Sequence, residues 1–372
     1  MVGLISCTLD CNLACKYCFE GNGNRFEAPH VNEINREFVN GTNYFNSFIN
    51  QLYKYNKGKR TTIIWHGGEP TLIKAENLAK VMQYQREEKH NILWQMQTNG
   101  TLFTDEYIEV LREYDVRVGI SLDGLRSHHD KYRVTKNGKP TFNKVEKNIE
   151  KMQKKGIQCS VLVTITDNNV MDLCEIYEYL TEHKLCFSYN ALYPKPDKDY
   201  TTEFEPLTFS EMICKLFDKW ITDQEGKTII SPFEQIIEGI LAPQYGIPAC
   251  HWQQNCSKSF VAIDAKGLLY PCEHWISDAN MNFGHIEDGL DNYLKKTTFL
   301  DNRVEQLKIN EKCSRCKIFR FCYGGCPWSA YMALHSINVP DYSICEGRKK
   351  IIKHIYNYLK QNYSGNIPEL DL

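Results

Sequence analysis

Apolar positions along this chain fall into two alternating kinds of segment. Short runs rich in β-branched and apolar residues predict strands at Val2–Ser6, Thr61–His66, Ile92–Gln97, Val116–Ser121, Gln158–Ile165 and Cys186–Leu192. Between them, longer stretches with helical spacing predict helices near Asn32–Tyr55, Lys74–Glu88, Asp105–Tyr114, Phe142–Lys155 and Met171–His183. Strand–helix alternation of this kind implies a parallel sheet with helices outside it. Six such units predict an α/β fold, a partial (β/α)6 barrel, with chemistry at the carboxyl ends of the strands.

After residue 200 the pattern changes. A stretch rich in turn and charged residues, Pro194 to Pro206, reads as a linker or flap. Helices are expected around Phe209–Ile221 and Pro232–Leu241, short strands at Phe260–Ile263 and Leu268–Tyr270, and a terminal helix near Arg348–Asn362. The expected division is a barrel over 1–200, a bridging helical segment over 201–248 and a small cysteine-rich domain over 249–372.

Composition narrows the function classes. A formal net charge of -2 points to neither nucleic acid nor an acidic membrane surface. No stretch approaches the roughly eighteen uninterrupted apolar residues of a membrane span. Met1-Val-Gly-Leu-Ile-Ser lacks the features of a signal peptide, so the expectation is a cytoplasmic protein. The 16 cysteines are clustered, which in a reducing compartment argues for metal over disulfides.

Three of them, Cys11, Cys15 and Cys18, lie on one tight loop directly after the first strand, in a C-x3-C-x2-C spacing. Three thiolates can hold three corners of a cubane [4Fe–4S] cluster and leave one iron open, and an open metal position is where chemistry happens. The competing reading is a partial zinc site completed from elsewhere. With the aromatic Tyr17, these cysteines resemble the signature of radical S-adenosylmethionine (SAM) enzymes. The resemblance implies that SAM fills the open iron, and that its reductive cleavage yields a 5′-deoxyadenosyl radical that removes hydrogen from a substrate.

Further segments resemble the same family. Gly67-Gly68-Glu69-Pro70 follows the second strand and is similar to the motif contacting the SAM amino group, with Glu69 as acceptor. Asn99, Ser121 and Asp123 end the third and fourth strands and resemble the polar lining of the SAM and substrate cavity. Arg133 resembles the arginine that pairs with the SAM carboxylate, which a guanidinium fork suits.

A second constellation, Cys313, Cys316, Cys322 and Cys326, spaced C-x2-C-x5-C-x3-C, is followed by Cys345 and preceded by Cys250, Cys256 and Cys272. Eight cysteines suffice for two four-thiolate sites, of iron–sulfur or of zinc. The pattern resembles the SPASM extension of radical SAM enzymes that modify peptides and proteins. That resemblance implies interleaved ligands: Cys250, Cys256, Cys272 and Cys326 for one auxiliary cluster, and Cys313, Cys316, Cys322 and Cys345 for the other. With SAM, the expected cofactors are therefore three [4Fe–4S] clusters. Phe283-Gly284-His285-Ile286 also resembles the family, which often has asparagine where His285 stands.

Two activities compete within the group. The first is a maturase of ribosomally made peptides that forms a thioether or carbon–carbon cross-link. The second is an anaerobic sulfatase maturase that oxidises cysteine or serine to formylglycine. Sulfatase maturases carry an aspartate base directly after the third auxiliary cysteine, where this chain has Glu273, the candidate catalytic base. Together with the bulky run after Cys326, this favours the peptide maturase. The implied partners are a peptide or protein substrate, a reducing donor such as flavodoxin or ferredoxin, and, for a peptide maturase, a separate leader-binding protein. A non-enzymatic iron–sulfur electron carrier is the alternative from another class. His66 and His274 stand near motif residues and could donate to a cluster or substrate.

Overall fold

The computed structural model describes residues 1–18, 31–192, 205–223, 228–276, 278–340 and 344–370. Most of the expected linker lies outside the described residues. The chain forms two compact units, one of 1–122, 126–161 and 257–298, the other of 123–125, 162–256 and 299–372.

The first unit is built on β1 (Val2–Ser6), β2 (Thr61–His66), β3 (Ile92–Thr98) and β4 (Arg117–Ser121). These pair in parallel in their chain order, β1 with β2, β2 with β3 and β3 with β4. Its helices are α1 (Val31–Tyr55), α2 (Ala75–Glu87), α3 (Asp105–Glu113), α4 (Arg126–Tyr132) and α5 (Phe142–Lys154). Phe38, Phe45, Phe48, Ile49 and Leu52 of α1 are fully buried. At helical spacing they form one apolar stripe. Gly3 in β1 lets that stripe close down, because a Cβ there would sit 2.7 Å from Leu52 and 2.9 Å from Phe48. Trp65 of β2 stacks on Trp94 of β3 at 5.7 Å.

On its other edge β1 meets a strand from far along the sequence. Phe260–Asp264 pairs with it in parallel, Val2 opposite Phe260, and then with the two-residue strand Leu269–Tyr270 in antiparallel. Residues 257–298 thus belong to this unit through main-chain hydrogen bonds.

The strand Cys159–Ile165 spans the boundary between the units, and the second unit holds Cys186–Ala191 and Ile230–Ser231, paired in parallel with Phe187 opposite Ile230. Its helices include Leu173–Glu182, Pro206–Thr222, Phe233–Leu241 and the C-terminal Cys345–Asn362. The last packs on Pro206–Thr222: Phe217 meets Tyr358 edge-on at 5.5 Å, and His354 Nε2 lies 2.6 Å from Asp218 Oδ1. The parallel α/β arrangement is the one the pattern implied. The first six strands fall within about two residues of their expected bounds. Among the described residues no helix is long and apolar enough to cross a membrane.

Candidate active site

The motifs end their strands as expected: Gly67–Pro70 follows β2, Asn99 follows β3 and Ser121 closes β4. The loop that leaves β1 is held by its neighbours' main chain. Cys7 N donates to His66 O at 3.2 Å, Gly68 N to Thr8 O at 2.8 Å and Glu69 N to Asp10 O at 2.8 Å. The two glycines make this approach possible. A Cβ on either would lie 2.2 Å from a carbonyl oxygen, that of Thr8 for Gly67 and that of Asp10 for Gly68. A side chain at either position would therefore displace the cysteine loop.

On its far side the loop is clamped by the segment after α4. Ala14 N donates to Val134 O at 2.9 Å and Lys16 N to Tyr132 O at 3.1 Å. Tyr17 is buried edge-on against Tyr132, and the buried Arg133 guanidinium stands 5.3 Å from the Tyr17 ring centre. The Arg133 carbonyl accepts from Thr141 Oγ1 at 2.6 Å, while Asp130 Oδ1 accepts from Thr141 N and Phe142 N and so caps α5.

Glu69 is fully buried. Its Oε1 accepts from Thr71 N at 3.0 Å, from Thr98 Oγ1 at 2.7 Å and from Thr71 Oγ1; its Oε2 accepts from Asn99 N at 2.7 Å. Burial pushes this carboxyl above its ordinary value, and the four donors oppose that shift. The Asn99 side chain ties the end of β3 to the cysteine loop. Its Nδ2 donates to Asn12 Oδ1 at 2.8 Å and lies 3.7 Å from Cys11 Sγ, while its Oδ1 accepts from Thr101 N and Thr101 Oγ1. Ser121 Oγ accepts from Gln97 Nε2 at 3.2 Å. In the second unit Asp123 is buried, its Oδ1 accepting from Thr164 N at 3.0 Å.

Burial, the Glu69 carboxylate and the neighbouring Cys15 and Cys18 thiolates push the Cys11 thiol well above its ordinary value. Three thiols that repel one another when ionised, on one turn closed by Cys18 N to Cys15 O at 3.1 Å, suit a positively charged metal centre that displaces their protons.

The later cysteines group in the same electrostatic sense. Burial, then Cys322 and Cys316, raises Cys313 to about 11. Burial, then Cys322, Cys313 and Cys316, raises Cys345 to about 11. Burial and then Cys326 raises Cys256 to about 12. All-thiolate sets of this kind fit iron–sulfur or zinc. Of the set Cys250, Cys256, Cys272 and Cys326, Cys272 lies in the first unit and the other three in the second, where Cys250 is exposed. Among the described residues no three His, Cys, Asp or Glu side chains converge as a single metal ion would need. A cubane distributes its ligands over separate irons.

Glu273, adjoining Cys272, is flanked by both histidines singled out in the sequence. His66 Nε2 lies 3.2 Å from Oε2 and His274 Nδ1 3.8 Å from Oε1. Because His66 Nδ1 accepts from Gly67 N at 2.7 Å, the neutral ring carries its proton on Nε2, the atom nearest Glu273. His285, at the family's asparagine position, accepts from Glu287 N on Nδ1 and donates from Nε2 to Lys266 O at 2.8 Å. An asparagine amide offers the same acceptor–donor pair.

Two arginines escaped the sequence reading. Arg303 is buried and donates to the carbonyls of Ile337 at 2.6 Å, Tyr323 at 2.9 Å and Gly324 at 3.2 Å. Burial lowers its pKa, and the Cys326, Cys256, Cys322 and Cys313 thiolates oppose the shift. Arg348 is buried over Trp252, its centre 4.7 Å from the ring, and reaches Cys322 Sγ at 3.4 Å. The missed signal is helical register. Arg303 shares a stripe with Leu300, Val304 and Leu307, and Arg348 with Ile351, Ile352, Ile355 and Leu359. A cation on the apolar stripe of a helix is a buried cation.

A model of the radical SAM superfamily matches residues 5–180. The cysteine-type anaerobic sulfatase-maturating enzyme of Clostridium perfringens is 30% identical over 333 residues, 85% of each chain. The serine-type enzyme of Bacteroides thetaiotaomicron is 24% identical over 379 residues, covering 94% of this chain and 87% of its own. Native anSMEcpe with bound AdoMet superposes with a TM-score of 0.81 at 26% identity, covering 97% of this chain and 99% of that one. SuiB of Streptococcus suis, bound to precursor peptide SuiA, shares the fold with a TM-score of 0.63 at 18% identity, over 92% and 75% of the two chains. On these grounds the chain is a radical SAM enzyme and belongs to the branch of that superfamily that contains the anaerobic sulfatase-maturating enzymes.

Proposed function

We propose that this protein is a maturase of the anaerobic sulfatase type, oxidising a cysteine or serine residue of a peptide or protein substrate to formylglycine. The observation that carries the reading is the likeness to sulfatase maturases over nearly the whole length of both chains, at a TM-score of 0.81. The same relative is known with AdoMet and a cysteine peptide bound together. The sequence pattern favoured cross-link formation, with Glu273 and the bulky run after Cys326 as the arguments; the relatives favour formylglycine. Glutamate for aspartate lengthens a base by one methylene and leaves its chemistry intact.

In this reading Cys11, Cys15 and Cys18 hold the first cluster. Glu69 would take the SAM ammonium and Arg133 its carboxylate, with Tyr17, Pro70, Asn99 and Ser121 of the same unit beside them and Gly67 and Gly68 giving the cysteine loop its room. Cys250, Cys256, Cys272 and Cys326 hold one auxiliary cluster, and Cys313, Cys316, Cys322 and Cys345 the other. Bound cluster and SAM supply one-electron chemistry that removes a hydrogen atom from an unactivated carbon. The chain supplies the proton acceptor: Glu273 holds the substrate's proton, with His66 Nε2 3.2 Å from its Oε2. Gly67 N, by occupying His66 Nδ1, keeps the proton of that neutral imidazole on Nε2.

The deciding experiment is anaerobic incubation of reconstituted enzyme with SAM, a chemical reductant and cysteine or serine peptides, followed by mass spectrometry and a hydrazide trap. An aldehyde is expected, the cysteine peptide losing sulfur and gaining oxygen. Loss of two hydrogens without trappable aldehyde would overturn the reading in favour of a cross-link.

A further inference from the structure

A cleft of about 610 Å³ opens in the second unit between the start of the C-terminal helix, the start of Pro206–Thr222 and the segment 315–318. Arg315, Lys317, Lys349, Lys350 and Lys353 line it, against one carboxylate, Glu346. The whole chain carries a net charge of -2, so this concentration of cations is local. All five cations are exposed. Lys349 Nζ lies 2.7 Å from Glu346, and Lys350 Nζ 2.6 Å from Glu211. Half-exposed Leu207 adds an apolar spot to the rim.

Cys316 sits in the wall of the same cleft. It is one of the four cysteines proposed above for the second auxiliary cluster, and its thiolate acts on both Lys349 and Cys345. A ligand of a redox centre is therefore in the wall of an open, cationic surface. Redox encounters use small interfaces, wet and held by opposite charge around a modest apolar contact.

We propose that this cleft is the docking surface for an acidic one-electron carrier protein, seated over Cys316. The proposal rests on the reading that Cys313, Cys316, Cys322 and Cys345 hold an iron–sulfur cluster. One electron crosses between carrier and cluster: as one is oxidised the other is reduced, and no bond is made or broken. The cations set encounter rate and orientation, so their effect weakens as salt shortens the range of the field.

The test uses reconstituted full-length enzyme and a recombinant acidic flavodoxin as the probe. Lys317→Glu with Lys353→Glu reverses two cleft charges. Lys144→Glu with Lys147→Glu reverses two exposed charges on α5 and serves as the control of equal net charge. At low ionic strength the cleft pair should weaken flavodoxin binding by roughly tenfold or more, and slow electron exchange between flavodoxin and the cluster of these four cysteines in proportion, while reduction of that cluster by dithionite stays at the wild-type rate. The control pair should stay within about twofold of wild type, and raising salt to about 0.5 M should weaken wild-type binding toward the level of the cleft pair. Equal effects of the two pairs, or wild-type binding that ignores salt, would overturn the docking surface. Iron and zinc analysis of the unmodified enzyme separates the underlying reading: zinc in these four cysteines defeats the cluster before any carrier is added.

Discussion

The two cysteine-bearing regions keep their shape by different means. In the first unit the loop through Cys11, Cys15 and Cys18 is held by neutral groups: main-chain bonds to His66–Glu69 on one side and Tyr132–Val134 on the other, and the Asn99 amide. The charges it adjoins are mixed: an anion, Glu69, which acts on Cys11, and the Arg133 guanidinium over Tyr17. In the second unit the turn Cys322–Cys326 is held by cations. Tyr323, Gly324 and Gly325 all have positive φ, which turns the carbonyls of Tyr323 and Gly324 onto Arg303. Arg348 meets Cys322. The contrast suits the two tasks assigned to them. A site that must receive a ligand bearing an ammonium gains from a nearby carboxylate. A closed four-thiolate site collects negative charge with no ligand to offset it, and buried guanidiniums do so.

The largest break separates the regions outright. Replacing Cys11, Cys15 and Cys18 by alanine should abolish SAM cleavage and lower iron from about twelve to about eight per chain. The remaining iron would be held by the C-terminal cysteines. A fall to near zero would mean that the regions do not load independently. Next comes Glu273→Gln, which keeps the shape and removes the base. Iron and SAM cleavage should persist while product formation drops on the order of a hundredfold or more, read by mass spectrometry against 5′-deoxyadenosine release. Product at the wild-type rate would remove Glu273 from the mechanism and leave the pair with His66 as structure alone.

Arg303→Leu probes the cationic region. It strands the carbonyls of Tyr323, Gly324 and Ile337 and removes the charge beside four cysteines. A stability loss of about 3–5 kcal/mol is expected, with iron lost from the C-terminal sites and SAM binding retained. Arg303→Lys keeps the charge but cannot reach three carbonyls, so iron retained in the lysine variant alone would assign the role to charge over geometry.

Local pattern carried much of this to the sequence level. Strands β1–β4 follow apolar runs bounded by turns, and the first three cysteines lie on one loop, so both are encoded in neighbouring residues. The pairing of Phe260–Asp264 with β1 is different: its partner lies more than 250 residues away, and nothing in a period of two names it. The short helices between Leu290 and Leu334 were not foreseen, because four- to eleven-residue segments crowded with cysteines and turns show little periodicity. The close packing at Gly67 and Gly68 was not legible either, since the Thr8 and Asp10 carbonyls that lie against them come from the loop after another strand. Glu69 was legible as an acceptor, but its four donors were not, since Thr98 and Asn99 reach it from the next strand.

Those four donors make Glu69 the smallest and sharpest probe of the comparison. Oε1 is saturated by three donors, and among the described residues Oε2 accepts from Asn99 N only. A carboxylate oxygen has a second lone pair, and on the proposed reading the SAM ammonium would find its acceptor there. Glu69→Gln places an oxygen at the Oε1 position, where three donors demand it, and therefore an NH2 at Oε2. That NH2 faces Asn99 N–H, donor against donor, and repels an ammonium. The unloaded protein should lose about 1–3 kcal/mol of stability, and SAM affinity should fall roughly tenfold or more, from a missing charge-assisted bond of about 1.5–3 kcal/mol. Iron should be unchanged, because Glu69 ligates nothing. Calorimetry of SAM binding, beside thermal unfolding of the same variant, reads both quantities. Lower stability with undiminished SAM affinity would make Glu69 a brace for the β3 end and move the ammonium site elsewhere. Lower affinity with undiminished stability would show that Asn99 N–H finds another partner, and that the anion is there for the ligand alone.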